Sequence, residues 1–570
     1  MPVVSGSAKL GPNQLLYRWR SCLYSFLSVE NGLIALFLGL GLLGILNHEL
    51  WRDEAQAWLI ARDSSSLVDL YRNTRFEGHP ILWHVCLYLI ARWTHNPFAM
   101  QIFHLLLAVG SVTLIVKKSP FSLVQRGLLS FSYLLFYEYS AISRNYAIGV
   151  FLIFLFCALY ARRNPIYWLL SLVLALIANT NAFSFLISLA IASVMLLRMR
   201  SESKPSQVPR HCYSLQFSVK KAMPTLAILA IGWGFSLMQL TRQLVLPKTD
   251  SPLAVARNAT VLDSVPNSVP NSVPDAVSQI DQVTVLVNKV AGLVEPFARA
   301  YFPMIRPRVH FWTTHLLTDP EGIGRVSGLE AGNLIAVVLA ATVTFFVLKA
   351  LIKTPLYLWL YLSASLSLYS FFAIVYRGST RHNGHFMIVL IVSLWLATWS
   401  INRNESRLRD FSARARRPVV GGVLLTVLLI FQCVSSVQAY SMDMLYPFSA
   451  SRAIAHYIQD NQLEELPLFV QNGRLMTGLI SYLETDAYYA QAKRYASFAN
   501  TRYNIGKETS EIITTNVEDF AQQQPKFLIV SINPIDFSTL DNKVVPLTKV
   551  EKTIVRSERM YLYKADFSSP

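Results

Sequence analysis

Twelve apolar blocks punctuate this chain, at about 29–48, 80–91, 98–116, 127–142, 146–161, 165–179, 182–197, 223–240, 332–352, 355–375, 385–401 and 419–438. Most approach the roughly 20 residues that a helix needs to cross the hydrocarbon of a bilayer. In lipid, every backbone N–H and C=O must find its partner inside the segment, which leaves the helix as the outcome for blocks of this kind. A β-barrel is excluded, because its strands alternate apolar and polar residues. Only 15% of the residues are charged, against about 25% in soluble domains, and mean hydropathy is +0.37. The expected fold is an α-helical polytopic membrane protein.

Net charge is +17, yet its distribution argues against a nucleic-acid partner. From Ser441 to Pro570 there are 13 Lys/Arg and 15 Asp/Glu, a net of −2, which leaves +19 on residues 1–440. The basic clusters there fall in short connections, as the positive-inside rule expects of a protein whose surroundings are membrane lipids. Twelve spans would put Lys117-Lys118, Arg162-Arg163 and the stretch Arg198 to Lys221 opposite the N-terminus with Arg18 and Arg20. The block 80–91 is too short to cross comfortably and carries Pro80, Trp83 and His84. Laid along the membrane surface, it leaves about eleven spans. All these clusters, with Lys349–Lys353 and the six arginines of Arg403–Arg417, then become cytoplasmic.

The outer side then collects the unusual residues. Residues 1–440 form the membrane-embedded domain, with interfacial helices in a first outer loop at about 49–97 and a long outer loop at 241–331. That long loop contains the repeat Ser264-Val265-Pro266-Asn267-Ser268-Val269-Pro270-Asn271-Ser272-Val273-Pro274, whose prolines forbid helix, and the sequon Asn258-Ala259-Thr260. Residues 441–570 lose the apolar blocks and form a small soluble α/β domain on the outer face. Ser449-Ala450-Ser451 caps a helix through about Asp460, and Leu466–Val470, Phe527–Ile532 and Thr553–Lys564 are expected strands. The N-terminus lacks a cleavable signal pattern, so the first span is expected to stay as an anchor. Cys22, Cys86, Cys157, Cys212 and Cys433 have no paired spacing that suggests a disulfide framework or a zinc site.

Four constellations carry ionisable chemistry at the outer membrane edge. Asp53-Glu54, between Trp51 and Trp58, places two carboxylates where lipid makes them costly, which marks a functional site. A carboxylate fixed there can take a proton from an acceptor hydroxyl; the plainer role is that Asp53 caps a surface helix Glu54–Ala61. Glu77-Gly78-His79-Pro80 is a shaped turn with two acid/base types. Glu138 and Arg144, close to Asn145 and Tyr146, sit where two spans meet. There they either tie helices together as a buried ion pair or orient a phosphate or sugar. The turn Tyr376–His385 holds Arg377, Arg381, His382, His385, Gly378 and Gly384 and is expected to bind an anion. His382 and His385 alone do not make a metal site, since no Cys or acid stands near them, and no cofactor is indicated.

Together these features resemble the GT-C superfamily of membrane glycosyltransferases, which includes protein O-mannosyltransferases and bacterial aminoarabinose transferases. The likeness rests on Asp53-Glu54-Ala55-Gln56-Ala57-Trp58 after the first span, on Glu77-Gly78-His79-Pro80, on the Arg144 turn and on the outer C-terminal domain. It covers the first 200 residues best. It implies an inverting transferase that takes a sugar from a polyprenyl-phosphate carrier at the outer face of a bacterial inner membrane and passes it to a glycan, lipid or protein. By position, Asp53 matches the family's activating acid. With Asp53 as base, Glu54 or Glu77 is expected to support it, Arg381, His382 and Arg144 to hold the donor phosphate, and His385 to be a further substrate contact. Asn145 stands where many relatives carry an Asp, with Glu138 as the available substitute. His79 stands where many carry a Lys, so a phosphate contact through it is expected to depend on pH. Two rival readings are a transporter or flippase, which predicts charges within spans, and a non-catalytic scaffold for envelope assembly.

Overall fold

The computed structural model describes residues 28–162, 164–202, 219–242, 279–319, 325–326, 329–406, 421–471, 473–499, 510–540 and 543–568. Among them, eight helices are long and apolar enough to cross a membrane: Val29–Asn47, Phe98–Lys118, Ala182–Arg200, Met223–Thr241, Ala331–Leu351, Pro355–Ile374, Thr380–Arg403 and Gly422–Leu445. Leu82–Ala91, Tyr146–Tyr160 and Tyr167–Ala178 are shorter apolar helices. The expected helical membrane architecture is therefore present, with a C-terminal sheet domain; of the about eleven spans expected, eight of the described helices have the length and composition to cross. The core gathers around Thr380–Arg403, the most enclosed of the eight, where Trp395 stacks on Phe154 at 6.0 Å.

One expected span breaks for a visible reason. Block 127–142 divides into helix Leu123–Ser130 and a π-helical turn, Tyr133–Glu138, joined through extended Ser132. Ser130 Oγ donates to the Arg126 carbonyl at 2.7 Å and Ser132 Oγ to the Leu129 carbonyl at 2.7 Å. Serine hydroxyls that bond the local backbone compete with the helical ladder and favour such breaks. The break sets Glu138 at the C-terminal end of the π turn, a kind of turn that recurs at functional sites.

The expected long loop 241–331 contains a helix among its described residues. Gln279–Tyr301 is a helix that runs through Pro296. Its buried face carries Ala298, Ala300 and Tyr301. The Pro-rich repeat and the Asn258 sequon lie outside the described residues.

The C-terminal domain is built on a six-stranded sheet. Its order is Arg494–Ala496, Ala487–Tyr489, Leu468–Val470, Lys526–Ser531, Met560–Asp566, Val544–Val550. The pairs around Leu468–Val470 are parallel and the outer ones antiparallel. The three expected strands are present within a few residues, although 553–558 is not strand: Arg556–Glu558 is a 3-10 turn before Met560. Helix Ser451–Asp460 starts where its serines suggested.

This domain grips the connection that follows helix Val29–Asn47. Arg452 donates to the carbonyls of Leu46, Asn47 and His48 at 3.3, 3.2 and 2.7 Å, satisfying groups that the end of helix Val29–Asn47 leaves open. The Phe448 N–H donates to Glu49 Oε2 at 2.6 Å. Gln56 meets both backbone groups of Ala499, donating to its carbonyl at 2.7 Å and accepting from its N–H at 3.2 Å. Helix Arg52–Asp63 is thus clasped between the two domains, with Glu54–Ala61 buried, and is not the surface helix expected from sequence.

Candidate functional site

The break between Val29–Asn47 and Arg52–Asp63 is held by a buried charge network. His48 Nδ1 lies 2.9 Å from Asp443 Oδ2 and Nε2 lies 3.2 Å from Glu54 Oε2. Both ring nitrogens thus face carboxylate oxygens, an arrangement that suits the imidazolium. Glu54 is fully used: Oε2 also accepts from the Trp51 N–H at 3.2 Å and Oε1 from the Ser143 N–H at 2.5 Å. The helix cap is therefore Trp51 with Glu54 in the third position, not Asp53 as expected. Glu54 is buried, with both carboxylate oxygens engaged by His48, Trp51 and Ser143.

Freed from capping, Asp53 faces a cavity of about 990 Å³ between the membrane helices and the C-terminal domain. Arg144 holds it from behind: Nη1 donates to the Asp53 carbonyl at 2.7 Å and stands 3.7 Å from Oδ2. The Glu138–Arg144 tie weighed from sequence is replaced by this Arg144–Asp53 pair.

Arg381 lines the same cavity. Its guanidinium lies 5.1 Å from the Trp51 ring and 4.7 Å from the Trp312 ring, and the two indoles meet edge-on at 4.7 Å. Cation–π contact holds the charge without consuming its N–H groups. Nε and Nη1 of Arg381 have no hydrogen-bond partner among the described residues. Glu138 lies behind this wall. Its Oε1 accepts from Trp312 Nε1 at 3.2 Å and from the Tyr133 hydroxyl at 2.7 Å, so it orients the tryptophan and does not line the cavity.

The expected anion turn contributes less than its composition suggested. Gly378 has φ +74°, and a side chain there would also crowd the Phe372 ring, so the turn requires glycine. Arg377 is exposed and pairs with Glu295 at 2.8 Å. His382 Nδ1 accepts from the Ser379 N–H at 2.9 Å in a capping box, and its ring packs against Tyr146, Phe183 and Tyr376. His385 is buried with Nδ1 donating to the His382 carbonyl at 2.8 Å. Neither histidine lines the cavity; of this turn, Tyr376, Ser379 and Arg381 do.

In the first loop, Gly78 with φ +74° makes the turn that the sequence indicated. Glu77 Oε1 accepts from Gln56 Nε2 at 3.3 Å. Burial, reinforced by the positive charges of Arg144, His84 and Arg381 and opposed by Asp53, pushes the His79 imidazole down to about 3. With no bound anion beside it, the ring stays neutral across physiological pH. Among the described residues, no group of three or more His, Cys, Asp or Glu is placed to hold a metal ion.

Several residues of the cavity escaped the sequence. Trp312, Arg308 and His310 come from the chain after helix Gln279–Tyr301, and Arg556, Ser557 and Arg559 come from the C-terminal domain. The signal for the latter group was the pair Arg556 and Arg559 beside Glu558 in a short turn. Arg52 joins the two halves: Nη1 donates to Ser557 Oγ at 3.1 Å, Nε stands 3.9 Å from buried Glu558, and the Arg52 carbonyl accepts from Thr477 at 2.9 Å.

No family model matches the chain, and no curated protein matches it. Among solved structures it is similar to the crystal structure of ArnT from Cupriavidus metallidurans bound to undecaprenyl phosphate. The identity is 10% and the TM-score 0.44, over 93% of this chain and 97% of that one. It is also similar to apo ArnT from the same organism, at 12% identity and a TM-score of 0.37, over 95% of this chain and all of that one. Likenesses this distant bear on neither the chemistry nor the ligand of this chain.

Proposed function

We propose that the chain is a GT-C-type glycosyltransferase that takes a sugar from a polyprenyl-phosphate carrier and inverts its anomeric carbon. Its site is the cleft between the membrane helices and the C-terminal domain, on the outer side of a bacterial inner membrane. The observation that carries the reading is that Asp53 and Arg381, more than half the chain apart, line one cavity. One is an acid held in place from behind; the other is a cation with unsatisfied N–H groups between two indole walls.

In this reading Arg381 receives the donor phosphate, and the apolar tail stays among the membrane helices. Trp51 and Trp312 offer the aromatic surfaces beside it. Asp53 accepts the proton of the acceptor hydroxyl as that oxygen bonds to the anomeric carbon. The bond from that carbon to the phosphate oxygen breaks, and its electron pair leaves on the phosphate, whose charge Arg381 meets. Arg144 keeps the Asp53 carboxylate in place, and Glu54 fixes the helix that carries it.

The test uses the purified full-length protein with labelled polyprenyl monophosphate hexose, pentose and aminopentose donors and an envelope extract as acceptor source. Release of polyprenyl phosphate is measured. The reading expects the wild type to consume at least one donor and Arg381→Ala to lose that activity. A wild type inert to all three, or Arg381→Ala at the wild-type rate, contradicts it.

A further inference from the structure

The C-terminal domain brings a binding edge of its own to the cleft. Its parallel strands stand in the order Ala487–Tyr489, Leu468–Val470, Lys526–Ser531, so the chain leaves the first strand to one side and returns on the other. Leu479 and Ile480 of helix Thr477–Leu483 pack on the sheet face of Val470 and Val530. Val517 and Phe520 of helix Ser510–Ala521 pack on the opposite face, with Phe469 and Ile529. Connections that cover opposite faces open a crevice at the carboxyl ends of the strands where the order reverses, which is where open α/β sheets bind ligands. Leu475 follows the first strand, Ile532 and Asn533 follow Lys526–Ser531, and all three line the cavity.

Two arginines stand at that point. Arg559 is fixed, with Nε donating to the Ile532 carbonyl at 3.0 Å and Nη2 to Asn533 Oδ1 at 2.6 Å. Arg556 is exposed and has no hydrogen-bond or ion-pair partner among the described residues. Both line the cavity that Arg381 lines from the membrane side. Its volume of about 990 Å³ stands at the top of the about 300–1,000 Å³ of single-ligand pockets. The phosphodiester of a lipid-linked sugar carries a single negative charge, which Arg381 alone matches. Arg556 and Arg559 remain for something else, and guanidinium forks suit phosphate oxygens.

We propose that this crevice is a second anion subsite, which binds a phosphate-type group on the acceptor while Arg381 holds the donor. The donor half of the statement rests on the transferase reading; the subsite does not. The experiment is isothermal titration of inorganic phosphate into the full-length protein in detergent, first alone and then saturated with geranylgeranyl phosphate. The wild type is expected to bind phosphate in both states. Arg556→Glu is expected to weaken phosphate at least tenfold and to leave geranylgeranyl phosphate unchanged; Arg381→Ala is expected to do the reverse. No phosphate binding by the wild type, wild-type affinity in Arg556→Glu, or exclusion of phosphate by geranylgeranyl phosphate overturns the proposal. Failure of geranylgeranyl phosphate to bind, with Arg556-dependent phosphate binding intact, removes the transferase reading and leaves the subsite standing.

Discussion

Glu558 offers a test of how the C-terminal domain is joined to the site. It is fully buried, its Oε2 accepts from Ser449 Oγ at 3.1 Å, and its Oε1 stands 3.9 Å from Arg52 Nε, next to Asp53. Burial pushes its carboxyl up from an ordinary 4.5 to about 8, against the pull of Arg52 and with help from Asp53. A carboxyl whose pKa is raised by folding binds its proton more tightly in the folded state. Its contribution is therefore complete below about 4.5 and is lost as pH rises to about 8. At 1.36 kcal/mol per pH unit, the interval corresponds to about 5 kcal/mol. Glu558→Gln keeps the shape and an oxygen for Ser449 but never ionises, so it escapes that loss. In thermal unfolding of purified protein, the variant should match the wild type near pH 5. At pH 8.5 it should unfold at least about 5 °C higher, since each kcal/mol moves the midpoint of a domain of this size by a few degrees. Equal midpoints at pH 8.5, or the same difference at both pH values, would mean that folding does not raise the Glu558 carboxyl.

Three further outcomes follow from the same geometry. Arg144→Ala should lower turnover about 10–100-fold with little change in donor KM, because in the proposed reaction it holds Asp53 and does not touch the donor. Arg144→Lys should restore only part, since one ammonium does not reproduce the fork to both the Asp53 carbonyl and carboxylate. His79→Gln should leave the pH–rate profile between about 5 and 8 unchanged, because an imidazole pushed down to about 3 is neutral there; loss of an inflection near 6.5 would contradict that. Glu138→Leu, which leaves Trp312 Nε1 without its acceptor, should raise donor KM several-fold by loosening the wall beside Arg381, and Glu138→Gln should recover most of it.

The membrane fold was legible because apolar blocks in lipid have one good outcome, and each expected block is helical in whole or part. Their number as full spans was less legible. Ser130 and Ser132 broke one block through local hydroxyl bonds, and the blocks at 146–161 and 165–179 form helices too short to count by length. Asp53 and Arg381 were visible as ionisable residues at the ends of apolar blocks. Their neighbours Glu54, His382 and His385 looked the same from sequence. They differ only in the partners that folding gives them: Trp51, Ser143 and His48 for Glu54, Ser379 and aromatic rings for the histidines. Trp312, Arg556 and Arg559 reach the cavity through tertiary packing; the paired arginines beside Glu558 were the one local sign of it, and Trp312 had none.

Turnover by Asp53→Asn, measured beside its affinity for geranylgeranyl phosphate, tests Asp53 as general base most directly. General-base catalysis is worth about 10²–10⁴ in rate. The variant should bind the lipid phosphate as the wild type does, through intact Arg381, and should transfer sugar at least about 100-fold more slowly. Full transfer by correctly folded Asp53→Asn would contradict the account.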